Sequence, residues 1–254
     1  MRRLLPILAT TLVLALAPTS ANAIMNGQVD VDNDFPSVGL LAFYADGEYS
    51  HRCTGTLISS TVVLTAAHCT IGMDQTYAYF QIEIPVDFRE HPTGISGTPH
   101  TSPSFNPNTL SNDVGVVVLD RGVGLGAYPT VVDQGFLTRE KRHNGLKDAV
   151  FTAVGYGGTE GSPPPNLQFE EPLLRRFAQQ PYGGLTRNNL HMQGNFLATG
   201  LGGTCFGDSG GPHFWEDTRV IVAVTSWGDA ICRSNDMTQR LDLASVQDFL
   251  SDFV

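Results

Sequence analysis

Short apolar runs separated by glycine, proline and asparagine dominate the chain between residues 24 and 240. Val38–Tyr44, Thr56–Ser59, Val62–Ala66, Thr76–Pro85, Val114–Leu119, Ala149–Val154 and Val220–Ser226 are rich in valine, isoleucine, leucine and tyrosine. Turn-bounded runs of this kind, with little 3.6-residue periodicity, predict strands rather than helices. One helix is expected, at the C-terminus, where Val246, Phe249, Leu250 and Phe253 fall on one face and Ser245, with Asp248 three residues on, supplies an N-terminal cap. The fold class is therefore all-β. About 230 residues of such sequence fit either one large β domain or two smaller barrels, and the pattern does not choose between them. Ser162-Pro163-Pro164-Pro165 cannot lie inside a strand and marks an exposed loop after Gly155-Tyr156-Gly157-Gly158.

The first residues break this pattern. Arg2 and Arg3 precede an apolar run from Leu4 to Ala17, and Ala21-Asn22-Ala23 offers an A-x-A cleavage site. That is the layout of a secretory signal peptide over residues 1–23, and the run is shorter than the ~20 residues a membrane-spanning helix needs. Either export route, general or twin-arginine, leads out of the cytoplasm. Cleavage after Ala23 would remove two of the 15 basic residues and none of the 25 acidic ones, deepening the formal charge from −10 to −12. Repulsion from phosphate and anionic headgroups then argues against nucleic acid and membrane as partners of a soluble secreted protein. Four cysteines in an exported chain suggest two disulfides with three possible pairings. Pairing Cys53 with Cys69 and Cys205 with Cys232 is the economical choice, and no C-x-x-C or H-x-x-x-H spacing suggests a metal. Asp74 and Glu83 do not amount to a calcium cluster. No cofactor is expected.

Gly207-Asp208-Ser209-Gly210-Gly211-Pro212 sets one hydroxyl among small residues whose backbone can reach a reacting carbonyl. A serine hydroxyl needs a neighbouring base before it becomes a nucleophile, and the base needs a group to orient it. Of seven histidines, His68 stands out, at the end of an apolar strand in Leu64-Thr65-Ala66-Ala67-His68-Cys69. Asp113 opens the apolar stretch Asp113-Val114-Gly115-Val116-Val117-Val118-Leu119. Alone, each of these is more simply a structural residue.

Together, in the order His, Asp, Ser and with the second 45 positions after the first, the segments resemble the chymotrypsin-like (trypsin-like) serine endopeptidases. The resemblance extends to His51-Arg52-Cys53-Thr54-Gly55-Thr56-Leu57-Ile58, Ala153-Val154-Gly155-Tyr156-Gly157 and Ser226-Trp227-Gly228. It implies two six-stranded antiparallel β-barrels, residues 24–135 and 136–254, the second carrying the C-terminal helix, with the site in the cleft between them. It implies His68, Asp113 and Ser209 as catalytic triad, Gly207 and Ser209 as the oxyanion hole, and the disulfides Cys53–Cys69 and Cys205–Cys232. It implies polypeptide substrates, a possible proteinaceous inhibitor and a monomer. A new amino group at Ile24 would pair with Asp208, and signal-peptide cleavage would itself expose Ile24; Asn26 departs from the family's usual glycine.

The same resemblance places the primary pocket between Gly203, Thr204, Cys205 and Phe206 on one side and Ser226, Trp227 and Gly228 on the other. Gly203 stands where trypsins carry aspartate, so an uncharged aromatic or large aliphatic side chain is the expected substrate. Asp229 and Asp236 keep arginine or lysine open as the alternative, and His213, most simply structural, is the one basic group near enough to suggest an acidic side chain. Two rivals remain to be weighed. The lipase-type Gly-x-Ser-x-Gly elbow is rejected because no histidine follows His213, four residues after the serine. A catalytically inactive protease-like binding protein would usually have lost a triad member, and none is lost here.

Overall fold

The computed structural model describes residues 24–158 and 172–254, so the signal-peptide segment and the Ser162–Pro165 loop lie outside the described residues. After a two-residue strand, β1 (Gln28–Val29), six strands close a first barrel: β2 (Val38–Ala45), β3 (Glu48–Leu57), β4 (Val62–Thr65), β5 (Gln75–Tyr79), β6 (Ile95–Thr101) and β7 (Gly115–Leu119), in the order β2-β3-β4-β7-β6-β5. A one-turn helix, α1 (Ala67–Thr70), sits between β4 and β5. The chain continues through β8 (Thr130–Val131) and α2 (Phe136–Arg142) into β9 (Val150–Gly155), β10 (Arg176–Leu185) and β11 (Asn189–Gln193). A short α3 (Phe196–Thr199) precedes β12 (Pro212–Trp215), β13 (Val220–Gly228), β14 (Asn235–Arg240) and the final α4 (Ala244–Leu250). β9-β10-β11-β14-β13-β12 runs back to β9, a second six-stranded ring. Both rings are antiparallel; the two-residue β8 adds to β13 in parallel, and β1 pairs with β10 of the second barrel although it precedes the first.

Side-chain alternation explains where the seam falls. Val63 on β4 and Val117 and Leu119 on β7 point into the first barrel with Leu41, Phe43 and Leu57. Their neighbours Val62, Leu64, Val114 and Val116 join the core of the second half, beside Phe214, Val222 and Val224. These strands read as unbroken apolar runs because both faces are covered, and each such side chain contributes about 1.5–3 kcal/mol. The ends of β4 and the start of β7 are thereby fixed at the junction of the barrels. Arg175, fully buried, fastens the same junction: Nε donates to Asp30 at 2.7 Å, and Nη1 donates to the carbonyls of Val38 and Phe80, both at 3.0 Å.

Three local expectations change. The run Thr76–Pro85 is strand only as far as Tyr79, since beyond it the chain leaves the barrel and Ile84 bonds instead to the carbonyl of Leu173. Ser245 does not cap α4: the helix begins one residue earlier, at a cap position occupied by Leu243, and the Ser245 hydroxyl donates to Asn112 Oδ1 at 2.7 Å. Strands β6, β10, β11, β12 and β14 lie outside the expected runs, because barrel closure pairs sequences such as Ile-Ser-Gly-Thr-Pro-His-Thr whose own pattern is too polar to announce a strand.

Candidate active site

Three segments meet at the seam. The turn of α1 carries His68 away from β4, and the Cys53–Cys69 disulfide ties the next residue to β3. Asp113, fully buried just before β7, accepts the His68 backbone N–H at 2.8 Å on one oxygen and His68 Nδ1–H at 2.8 Å on the other. With Nδ1–H donated to the carboxylate, Nε2 is the ring nitrogen left to act as acceptor. Ser226, expected only as a pocket wall, donates its hydroxyl to the same Asp113 oxygen at 2.5 Å. Gln239 accepts the Asp113 backbone N–H at 3.1 Å. Neither role was legible in the sequence, because both partners come from strands of the other barrel. The carboxylate is thus held by three donors, and the imidazole by two points on that carboxylate.

Ser209 lies on a tight turn stitched to both barrels. Its carbonyl accepts from the Thr54 N–H at 2.8 Å, and Gly210 N–H donates to the Thr225 carbonyl at 2.8 Å. Gly207 and Gly210 have φ of +99° and +76°, conformations that favour glycine. A Cβ at Gly210 would come within 2.1 Å of Thr65 Oγ1 and 2.6 Å of the Thr54 carbonyl oxygen. Gly210→Ala is accordingly expected to destabilise the fold by about 3 kcal/mol, read as a fall in the urea midpoint; an unchanged midpoint would contradict this packing. The Gly207 carbonyl accepts from Thr54 Oγ1 at 2.9 Å, while the N–H groups of Gly207 and Ser209 donate to no other group among the described residues. His68 and Ser209 border one cavity of about 320 Å³, without a hydrogen bond between their side chains among the described residues.

Asp208 points the other way, into the second barrel. It is fully buried and accepts the N–H of Gly157 at 2.7 Å and of Cys205 at 2.9 Å. Burial raises its carboxyl to about 7; the two amide bonds and the Arg52 guanidinium pull it down, and Asp236 pushes it further up. Ile24, also fully buried, sits at φ +47°, and the next residue, Met25, bridges Gly203. A left-handed φ is an outlier for a β-branched residue.

The cavity is bordered by Thr204, Cys205 and Phe206 on one side and Ser226, Trp227 and Gly228 on the other, and the Cys205–Cys232 disulfide joins its two walls. Gly203 does not border it: the bridge to Met25 turns this residue away, and a Cβ there would meet the Gly194 backbone at 2.9 Å. Asp229 borders the cavity, but its carboxylate accepts the N–H groups of Arg233, Ser234 and Asn235 and so organises its own loop. Asp236 lies behind the Thr204 wall, 2% exposed, with Oδ2 accepting from Thr204 Oγ1 at 2.5 Å and Gln180 Nε2 at 3.0 Å. Its Oδ1 has no hydrogen-bond partner among the described residues. Cys53, His68 and Cys69 bring ligand-type atoms within 4.8 Å of one another, but both sulfurs are spent in a disulfide.

A family model for trypsin matches residues 24–249. The chain belongs to the trypsin family of serine proteases. Alkaline trypsin B of Manduca sexta is 24% identical over 230 residues, covering 85% of each chain. Serine protease 1 of Drosophila melanogaster is 29% identical over 217 residues, covering 83% of this chain and 78% of the relative. Among solved structures, HL collagenase superposes with a TM-score of 0.69 at 20% identity over 90% of this chain and 97% of its own, a likeness that speaks for the fold. Membership of the trypsin family accounts for the two barrels and the disulfides.

Proposed function

We propose that this protein is a secreted serine endopeptidase that forms an acyl-enzyme on Ser209. The observation that carries the reading is the His68 imidazole, oriented by both oxygens of a buried Asp113 and sharing a cavity with Ser209. His68 Nε2 takes the Ser209 proton as Oγ attacks the peptide carbonyl, and returns it to the leaving amine. The base then takes a proton from water, whose hydroxide equivalent releases the acid product. Asp113 stabilises the imidazolium formed in each half. The uncommitted N–H groups of Gly207 and Ser209 stabilise the tetrahedral oxyanion, a contribution of about 3 kcal/mol per donor in comparable sites. A fluorophosphonate probe should label the mature protein once, at Ser209, and fail to label His68→Ala; equal labelling of both would refute the assignment, and absence of labelling in the wild type would mark an inactive binding homologue.

Substrate choice reads differently from the sequence expectation. An uncharged side chain was expected because Gly203 replaces an aspartate. Asp236 supports the alternative, a cationic one: it is a buried carboxylate with an open oxygen, linked through Thr204 to the cavity wall. A buried carboxylate lacking a close cation is costly, and a guanidinium or ammonium from substrate would offset that cost. Asp236→Asn is expected to lower kcat/KM on an arginyl peptide amide by about 100-fold, while a leucyl analogue changes by less than about threefold. Equal losses on both substrates would return the pocket to the uncharged reading.

Activation completes the proposal. Cleavage before Ile24 would release that residue from its left-handed φ and give Asp208 an ammonium partner in place of bare burial. Ordering of the Gly207 turn follows from that pair. The enzyme acts on polypeptides, as a monomer, and meets its inhibitors outside the cytoplasm.

A further inference from the structure

His213, read from sequence as structural, occupies a position that the triad chemistry does not use. It projects from β12 into the second barrel, fully buried, with Nε2 3.0 Å from Thr225 Oγ1 on β13 and 3.8 Å from Asp236 Oδ2 on β14. Three polar atoms of this cluster, His213 Nδ1, Gln180 Oε1 and Asp236 Oδ1, are buried with no hydrogen-bond partner among the described residues. Unpartnered buried groups of this kind are costly, and a cluster of them is more readily understood as a poised site than as packing. The other charged groups nearby are Asp208, which interacts with Asp236, and Arg52, which acts on Asp208; the cross-strand neighbour of His213 on β9 is the uncharged Ala153.

We propose that His213 makes the pocket's preference for cationic side chains depend on pH, because an imidazolium at this position competes with the substrate's guanidinium or ammonium group for Asp236. The inference rests on the reading of Asp236 as the charge behind the pocket. Burial lowers the His213 imidazole below its ordinary value, while Asp236 draws it back up, so the ring is neutral in neutral solution and charges on acidification. With the ring neutral, no cationic ring lies beside the Asp236 side chain that contacts Thr204. With the ring protonated, 3.8 Å away, the carboxylate is already compensated and an arginine gains little over a leucine.

The experiment is the ratio of kcat/KM for arginyl and leucyl peptide amides of otherwise identical sequence, measured from pH 8 to pH 5. Effects common to both substrates cancel in the ratio. In the wild-type enzyme the ratio should fall by more than about threefold once the pH drops below the ordinary imidazole range, and in His213→Gln it should stay within about twofold from pH 8 to pH 5. A wild-type ratio that is high but flat, or a fall that survives in His213→Gln, overturns the role of His213 and leaves Asp236 intact. A wild-type ratio near or below one at every pH overturns both. Should His213→Gln not fold, the wild-type protein gives the reciprocal measurement: benzamidinium, as a small cationic occupant of the pocket, must lower the pH at which the His213 ring resonances titrate, and an unshifted titration overturns the proposal.

Discussion

Ser209→Ala is expected to lower kcat/KM on a cleavable peptide by about 10⁵-fold while leaving the fold and its two disulfides in place. The loss follows from chemistry: without Oγ there is no acyl-enzyme, and His68 has no proton to accept. Stability should change by less than about 0.5 kcal/mol, because Oγ makes no hydrogen bond among the described residues that the methyl group would break. What persists should be weak hydrolysis above the uncatalysed rate, supported by the Gly207 and Ser209 N–H groups acting on a carbonyl attacked directly by water. Steady-state assays with matched thermal melts separate the two quantities. Activity within tenfold of wild type would remove Ser209 from the mechanism; a lost melt would mean that the hydroxyl serves the fold.

The second large effect concerns Asp208, and it has opposite signs in two forms of the chain. While residues precede Ile24 there is no ammonium group to pair with, and burial holds the carboxyl at about 7 against an ordinary 3.8. A carboxyl raised in the folded state binds more protons there than in the unfolded chain. The contribution of Asp208 to stability is therefore greatest below about pH 4, falls as pH rises towards 7, and is flat above, a loss of about 4 kcal/mol for a shift of this size. Freeing the Ile24 amine supplies the counter-charge and should largely abolish that loss. Urea midpoints between pH 5 and pH 8, compared for a form that keeps Ala23 and a form that starts at Ile24, both in the Ser209→Ala background, provide the test. In the same measurements Asp208→Asn should stabilise the longer form at pH 8. In the form that begins at Ile24, the same substitution is expected to cost about 100-fold or more in kcat/KM through a disordered Gly207 turn. Parallel pH profiles for the two forms would sever the link between Ile24 and Asp208.

The candidate catalytic residues were legible in the sequence because they announce themselves locally. Ser209 sits in a run of glycines, His68 adjoins a cysteine at a strand end, and Asp113 opens an unbroken apolar stretch. Chain order alone excluded the lipase arrangement. The β class was legible for a related reason: β2, β4, β7, β9 and β13 are apolar enough to announce themselves as strands. The disulfide pairs followed from economy and resemblance, and the structure bears both out.

Other features required the closed barrels. The sequence Ile-Ser-Gly-Thr-Pro-His-Thr becomes β6 because β5 and β7 leave it an edge on each side, and backbone hydrogen bonding does not depend on apolar side chains. Ser226 reaches Asp113 across 113 residues of chain, and Gln239 across 126. The sequence by itself determined the class of fold and singled out the proposed nucleophile and its proposed base, since each depends on residue identity and short-range pattern. Only the tertiary structure decided that Gly203 turns from the pocket, that Asp229 is committed to its own loop, and that Asp236 lies buried with an open oxygen beside His213. Those outcomes depend on which side chain a strand's register turns inward and on how far each charge is removed from water, quantities set only once the sheet has closed.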